Sequence, residues 1–402
     1  MTYSLQGKTI SLGVTGSIAC YKAVDLASKL MQLNADVDVL MTPSALRFLT
    51  PLTFTAITHR PVITSMFDPQ SELSINHVAA AERADLVAVV PATANSLAKI
   101  AHGRADDPVS ATILATRAPV LVAPAMDANM FESPATQANV ELLRQRGIYV
   151  AGPAEGRMAS GLVGRGRLLE PAELVGHIRI LLGRAGDLAG RKIVVSAGGT
   201  REAIDPVRVI ANHSSGKMGY AIAEAARDRG AQAVIVSAPT ALPDPTGVKV
   251  ARINSALEMG HALDSECADA DAIIMAAAVA DWRVAEIADQ KVKKTGADSW
   301  TIDLVKNPDL IAGIHADKLV KVGFAAESED LIDNARSKIQ SKGLHMIVAN
   351  DITAEDAGFA VDDNRVIILD REGSIERLPL MSKYNVGVEI LDRVIPLLNR
   401  PA

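Results

Sequence analysis

Short apolar runs alternate along the chain with longer stretches of helical period. In the first half, 9–14, 37–41, 86–90, 120–123 and 148–151 predict strands, with helical patterns such as 19–33 and 134–146 between them. Val- and Ile-rich runs without polar alternation suit strands buried on both faces, so this order predicts a parallel sheet covered on both sides. The apolar stripe stops near Leu182. Residues 183–190 are glycine-rich and read as an exposed, flexible linker. Strands resume at 192–196, 233–237, 272–275, 320–323, 346–349 and 366–369. The expected architecture is two tandem α/β domains, 1–182 and 191–402.

At roughly 150 residues per domain, 402 residues suit that division. Hydrophobic residues at 49% and charged residues at 22% form an ordinary globular balance. With 41 basic against 47 acidic residues the net charge is −6, which gives no basic face for a nucleic-acid partner but leaves room for a local anion pocket. Cys20 and Cys267 are too few for a disulfide framework or thiolate metal site. The apolar run 272–280 lies between Asp271 and Asp281 and is about half a membrane span. The N-terminus has no cationic segment ahead of an apolar core. These features predict a cytoplasmic chain with no membrane partner.

Val14-Thr15-Gly16-Ser17-Ile18 joins a strand to a helix, where a small residue lets backbone approach a phosphate at the helix N-terminus. It is not G-x-G-x-x-G, and Met41-Thr42-Pro43-Ser44 supplies hydroxyls where a ribose-binding acid would stand. That favours a mononucleotide such as FMN over NAD; a plain turn is the alternative. Gly198-Gly199-Thr200-Arg201 is a second such turn. Asn212-His213-Ser214-Ser215-Gly216-Lys217-Met218-Gly219 opens a helix, but it lacks the spacing of a P-loop. It suits either an anion site or an N-cap cluster with a solvated lysine.

Lys291-Val292-Lys293-Lys294 reads alone as a solvated loop. Lys338 and Lys342, one helical turn apart, add a face that two ammonium groups could turn to a polyanion. Asp281 and Asp309 could hold a nucleotide-borne Mg²⁺, though the sequence leaves the metal ligands open. Eight histidines show no zinc spacing, and His77, just before a helix, suits a cap or surface position as well as a catalyst.

Together these motifs resemble the bacterial bifunctional coenzyme A biosynthesis family, a fused phosphopantothenoylcysteine decarboxylase and phosphopantothenate–cysteine ligase. In the first half Gly16-Ser17-Ile18 is similar to the flavin-phosphate turn and Asn76-His77-Val78 to the active-site histidine segment. Residues 91–96 resemble P-A-S-A-N-T, 124–131 resemble P-x-M-N-x-x-M-W, and 159–168 resemble the substrate flap A-C-G-x-x-G-x-G-R-M. In the second half 212–219, 276–281, 291–294, Lys306-Asn307-Pro308-Asp309 and 323–327 stand as the ligase pattern has them.

The resemblance implies two Rossmann-like domains with mainly parallel sheets, the first of flavin-dependent cysteine decarboxylase type. It implies FMN held near Gly16, Ser17, Ile18, Ser44, Thr93 and Asn95, with His77 and the residue at 160 catalytic and Asp127 and Met130 facing substrate. The ligase half would couple 4′-phosphopantothenate to cysteine through an acyl-cytidylate made with CTP and Mg²⁺. Lys291 and Asn212 would be catalytic there. Arg208, Asn212 and Ala277 would bind the acid; Asp281, Lys291, Asn307, Pro308, Asp309, Phe324, Lys338 and Lys342 would surround CTP. Family members self-associate as trimers through one half and dimers through the other, giving a dodecamer.

Two positions depart from the pattern. Ser160 stands where the family has a proton-donating cysteine, and Asp127 where it has an asparagine that binds the substrate carboxylate. A serine hydroxyl is a far weaker acid than a thiol, and a carboxylate repels a carboxylate unless protonated or turned to a cation such as Arg165. The expectation is a bifunctional enzyme. The alternatives are an active ligase with an impaired, mainly structural flavoprotein half, and a flavin-binding module without activity.

Overall fold

The computed structural model describes residues 5–67, 76–293, 299–316, 318–327, 331–351 and 361–399. Lys294 of the lysine run lies outside the described residues. The chain divides into two compact units, Met1–Leu182 and Gly183–Ala402.

The first unit runs β1 (Thr9–Val14), α1 (Cys20–Gln32), β2 (Asp36–Met41), α2 (Pro51–Thr58), α3 (Asn76–Arg83), β3 (Leu86–Ala92), α4 (Ala94–Ala101), α5 (Pro108–Ala115), β4 (Val120–Pro124), α6 (Ala128–Glu132), α7 (Pro134–Gln145), β5 (Tyr149–Val150), β6 (Ala154–Arg157), β7 (Val163–Arg167) and α8 (Pro171–Gly183). Five parallel strands lie in the order β2-β1-β3-β4-β5. Leu86, Ala88 and Val90 of β3 join the apolar cluster on one face, while Val87 and Val89 join that on the other. This two-sided burial is why the strands read as unbroken apolar runs. Local chemistry sets the helix starts. Pro51, Pro108 and Pro134 occupy first-turn positions, and Asp107 and Ser110 form a capping box. β6 and β7 form a separate antiparallel hairpin.

In the second unit the elements are β8 (Lys192–Ala197), β9 (Arg201–Ala203), β10 (Val209–Ala211), α9 (Lys217–Arg227), β11 (Gln232–Ser237), β12 (Lys249–Arg252), α10 (Ala256–Cys267), β13 (Ala272–Met275), β14 (Trp282–Val284), β15 (Leu304–Lys306), α11 (Leu310–Gly313), β16 (Val320–Glu327), α12 (Leu331–Lys342), β17 (Met346–Asp351), β18 (Asp363–Asn364), β19 (Val366–Asp370), β20 (Ile375–Arg377), β21 (Met381–Ser382) and α13 (Lys383–Leu398). Its main sheet has the order β12-β11-β8-β13-β16-β17-β19-β20, parallel through β17 and antiparallel beyond it. Counted from β8, the parallel part has the 3-2-1-4-5-6 order of a dinucleotide-binding sheet, whereas the first unit has the 2-1-3-4-5 order. The shared strand–glycine opening therefore leads into two differently wound sheets.

Residues 183–190 are not a loose tether. Leu188 is buried, its N–H donates to the Arg229 carbonyl at 3.0 Å, and Arg229 pairs with Asp187 and Asp392. Leu188 is the apolar anchor inside a composition that otherwise reads as linker.

α9 lies so close to β8 that a Cβ on Gly219 would come within 2.7 Å of both the Ser196 carbonyl and the Ala197 side chain. Gly219→Ala is expected to destabilise the second unit by about 1–3 kcal/mol through overpacking, read as a lower urea midpoint. An unchanged midpoint would mean the helix shifts at no cost.

Candidate functional site

In a doubly wound sheet, ligands bind beyond the carboxyl ends of the strands, where the winding changes direction. In the first unit that place lies between β1 and β3. Thr15 Oγ1 donates to the Pro91 carbonyl at 2.7 Å and accepts from the Thr93 N–H at 3.2 Å, tying the two strand ends together. At Gly16 a Cβ would fall 2.4 Å from Ser44 Cβ, so only glycine lets this turn pass so near the loop after β2. A cleft of about 740 Å³ opens here, within the usual range of small-molecule sites. It is lined by Gly16, Ser17, Ile18, Ser44, Thr93, Asn95, Asp127, Met130 and Ser160, nine of the ten positions expected from the sequence. The glycine cradle, the hydroxyls of Ser17 and Ser44 and the volume of the cleft fit a flavin mononucleotide.

The hairpin β6–β7 forms one wall. Its base is fixed where Met126 N–H donates to the Gly166 carbonyl at 3.0 Å, and a Cβ on Gly166 would collide with the Met126 carbonyl. Near its tip Ser160 Oγ donates to Asp127 Oδ2 at 2.5 Å. Asp127 also caps α6, accepting from the Asn129 N–H at 3.1 Å. The two departures from the family pattern thus meet. Arg165 does not neutralise Asp127; its guanidinium lies over the Phe131 ring, 5.6 Å from the centroid. Sequence reasoning missed Lys22, a buried lysine in the cleft wall that donates to Leu168 O (3.0 Å) and Glu170 Oε1 (2.9 Å). Within the helical pattern 19–33 nothing sets this lysine apart from a solvated one. The Lys22 hydrogen bond holds the exposed Glu170 carboxyl below its ordinary range, against a smaller desolvation effect.

His77 is the exception. It lies on α3, where its carbonyl accepts from Thr112 Oγ1 at 3.2 Å, and it does not line the cleft. Its Nδ1 is buried with no hydrogen-bond partner among the described residues. Neither thiol lines the cleft. Cys20 donates to the Thr15 carbonyl, and burial pushes it and Cys267 up, Cys267 to about 12.

In the second unit the winding reverses between β8 and β13. Ser196 Oγ accepts from the Ala277 N–H at 3.1 Å and Thr200 Oγ1 from the Ala280 N–H at 2.9 Å. Two adjoining lobes open beyond them, of about 430 and 500 Å³, sharing Ala277, Val279, Asp281, Phe324 and Lys338. Asn307, Pro308, Asp309 and Lys342 line the first lobe only. Asn307 is buried, its amide donating to the Ala280 carbonyl at 2.8 Å, and Asp309 pairs with Lys342 at 2.9 Å. Asn212 lines the second lobe and donates to the Val279 carbonyl at 3.1 Å. Asn350, Asn364 and Lys383 also line it. They lie far along the chain in no motif, and only the fold brings them in.

Lys291 and Arg208 line neither lobe. Arg208 donates to the Val292 carbonyl (2.6 Å) and Asp205 (3.0 Å), and lies 4.7 Å from the centroid of the Trp300 ring. Buried Asp205 also accepts from the N–H groups of Val207, Arg208 and Val292. Burial alone would raise the Asp205 carboxyl; these N–H donors and the Arg208 charge outweigh it and hold the carboxyl at about 2. Asp205 thereby anchors the segment that carries Lys291.

Because the folded value lies below the ordinary one of about 3.9, this anchoring is complete above pH ~4 and is lost as pH falls towards 2. Amide-exchange protection at Val292 is expected to follow that course and to be weak already at pH 7 in Asp205→Asn. Equal protection in the variant would show that other contacts hold the segment.

A family model described as Flavoprotein matches residues 1–183, and one described as DNA/pantothenate metabolism flavoprotein C-terminal domain matches residues 188–397. The Coenzyme A biosynthesis bifunctional protein CoaBC of Vibrio vulnificus (strain YJ016) is 45% identical over 399 residues, 98% of this chain and 99% of that protein. Its namesake in Escherichia coli (strain K12) is 44% identical over 397 residues, 98% of each. The crystal structure of the C-terminal domain of a Coenzyme A biosynthesis bifunctional protein CoaBC is 37% identical, covering 53% of this chain and 98% of that one at a TM-score of 0.46. At this identity over nearly the full length of the relatives, the chain belongs to the family of bifunctional coenzyme A biosynthesis proteins.

Proposed function

We propose that the second unit joins 4′-phosphopantothenate to cysteine at the expense of CTP, and that the first unit decarboxylates the product to 4′-phosphopantetheine, in the cytoplasm. The observation that carries the reading is the pair of adjoining lobes, because activating a carboxylate on a nucleotide needs both in one dry cleft. A carboxylate oxygen attacks the α-phosphorus of CTP and pyrophosphate leaves; the cysteine amine then attacks the acyl carbon and CMP leaves. Lys338 and Lys342 neutralise phosphate charge. Asn307 and Phe324 form walls of the nucleotide lobe, and Asn212 and Ala277 face the acid. Mg²⁺ would enter with the nucleotide, near Asp281 and Asp309 of the nucleotide lobe.

In the first unit Ser17, Ser44 and Asn95, which line the cleft, would hold FMN. When bound, FMN would supply a reversible two-electron oxidation of the cysteinyl end, which makes loss of CO₂ easy. Met130 and the β6–β7 hairpin exclude water. His77, Lys291 and Arg208 stand outside the clefts of their own units. The reading therefore includes self-association, as trimers through the first unit and dimers through the second, which places these residues at a neighbour's site. Trimers joined by dimers close as a dodecamer.

A second reading is favoured by the Ser160–Asp127 hydrogen bond. With its proton committed to Asp127, Ser160 has none to give to substrate, and the first unit then holds flavin without turning over.

One mass-spectrometric time course with 4′-phosphopantothenate, cysteine, CTP and Mg²⁺ separates the readings. Appearance of 4′-phosphopantetheine supports two working units. Accumulation of 4′-phosphopantothenoylcysteine, relieved in an Asp127→Asn/Ser160→Cys variant, supports the second reading; absence of both sinks the ligase assignment. Lys291→Gln is expected to slow amide formation on the order of 10²-fold, and an unchanged rate would remove Lys291 from the site. Ser160→Ala is expected to retain its yellow flavin absorbance, and a colourless protein would contradict that.

A further inference from the structure

A two-stranded ribbon, β14 with β15, stands behind the nucleotide lobe of the second unit, with Arg283 directly opposite Val305. At one end of the ribbon the Asn307 N–H donates to the Asp281 carbonyl at 2.8 Å, and both residues line the lobe. The Asn307 side chain is buried and held on both sides. Its Nδ2 donates to the Ala280 carbonyl at 2.8 Å, and its Oδ1 accepts from Arg283 Nη1 at 3.3 Å. The same Arg283 nitrogen donates to the Lys306 carbonyl at 2.7 Å, which keeps the guanidinium aimed. Ala280 is itself fixed, its N–H donating to Thr200 Oγ1 at 2.9 Å. Arg283 lines neither lobe.

We propose that Arg283 is a positioning residue for the nucleotide: it holds the Asn307 amide in one orientation and so sets the affinity for CTP without touching it. This rests on the ligase reading above. A side-chain amide can turn over about its last bond, exchanging donor and acceptor. Turned over, Asn307 would set its Nδ2 hydrogens against the Arg283 guanidinium and its Oδ1 against the Ala280 carbonyl oxygen. Both contacts are repulsive, at a depth where a mispaired polar group is costly. Without Arg283 one of the two contacts that forbid the turned state is gone. Held as it is, the amide keeps one hydrogen and one lone pair without a partner among the described residues, in set directions. A binding group already fixed spares the nucleotide the cost of ordering it. The planar guanidinium suits this task, because the two hydrogens on Nη1 lie at a fixed angle, one for each acceptor.

A cation behind the lobe could instead act on the phosphates by its charge. Geometry favours positioning, because Arg283 is turned to the Lys306 carbonyl and the Asn307 amide, while Lys338 and Lys342 line the lobe itself.

The test is steady-state amide formation by the full-length protein, with CTP and 4′-phosphopantothenate varied in turn. In Arg283→Met the KM for CTP should rise roughly 10- to 100-fold, with the KM for the acid unchanged. In an Asn307→Ala background, which has no amide to hold, the same substitution should add less than about threefold. Arg283→Lys should recover only part of the affinity, since a flexible ammonium keeps the charge but not the fixed angle. Folding of each variant is checked by circular dichroism. If Arg283→Met fails to fold, Arg283→Lys decides in the same way, alone and combined with Asn307→Ala. Effects at 283 and 307 that multiply, a loss that falls equally on the acid, or full recovery in Arg283→Lys overturns the assignment. If the wild type forms no amide, the ligase reading itself falls and this assignment with it; a working wild type with an unchanged KM for CTP in the folded variants removes Arg283 alone.

Discussion

Each unit is tied by buried hydroxyls at the place where its sheet changes winding direction. Thr15 bridges the ends of β1 and β3, and Ser196 bridges the end of β8 to the backbone after β13. Some backbone groups there, such as the Thr93 and Ala277 N–H, pair with a hydroxyl rather than with the neighbouring strand, and at depth they cannot be left unsatisfied. A side chain with one donor and two lone pairs closes the gap without filling the crevice. The clefts open immediately above these hydroxyls because the strand ends are held together below them.

That constraint explains what could be read from residue order and what could not. Runs such as 192–196 and 272–275 are apolar because both sheet faces are covered, and they appear as β8 and β13 within a residue of the expected bounds. Gly16 was legible because close backbone approach demands a small residue at that turn, whereas Asn212 took its role from the resemblance. Lys383 was not. Its neighbours in sequence, Ser382 and Asn385, make an ordinary helix cap, and its meaning comes from Gly387 letting α13 lie against α9. Nor could residue order show that 183–190 is docked, since Leu188 is one apolar position among glycines. His77, Lys291 and Arg208 took their specific roles from the resemblance, and a single chain leaves them outside its clefts.

His77 keeps a buried ring nitrogen without a partner among the described residues, an expensive condition for a group free to hydrogen-bond water. Lys291 instead sits on a segment whose neighbouring backbone is satisfied, held through Val292 by Asp205 and Arg208. The cost at His77 therefore has no counterpart at Lys291, and the two stand outside their clefts for different local reasons.

The contact between Ser160 and Asp127 bears on how the two departures arose. A hairpin lying over a cleft needs some attachment at its tip, or it frays at the cost of the ordered site below. In this chain the attachment is a charge-assisted hydrogen bond to a residue already fixed as a helix cap. Either substitution alone would leave a weaker contact: a serine against an amide lacks the charge, and an aspartate against a thiol has a poor donor. The two positions are therefore coupled through one bond. In this chain that bond, rather than an acidic side chain at position 160, closes the wall at the hairpin's tip.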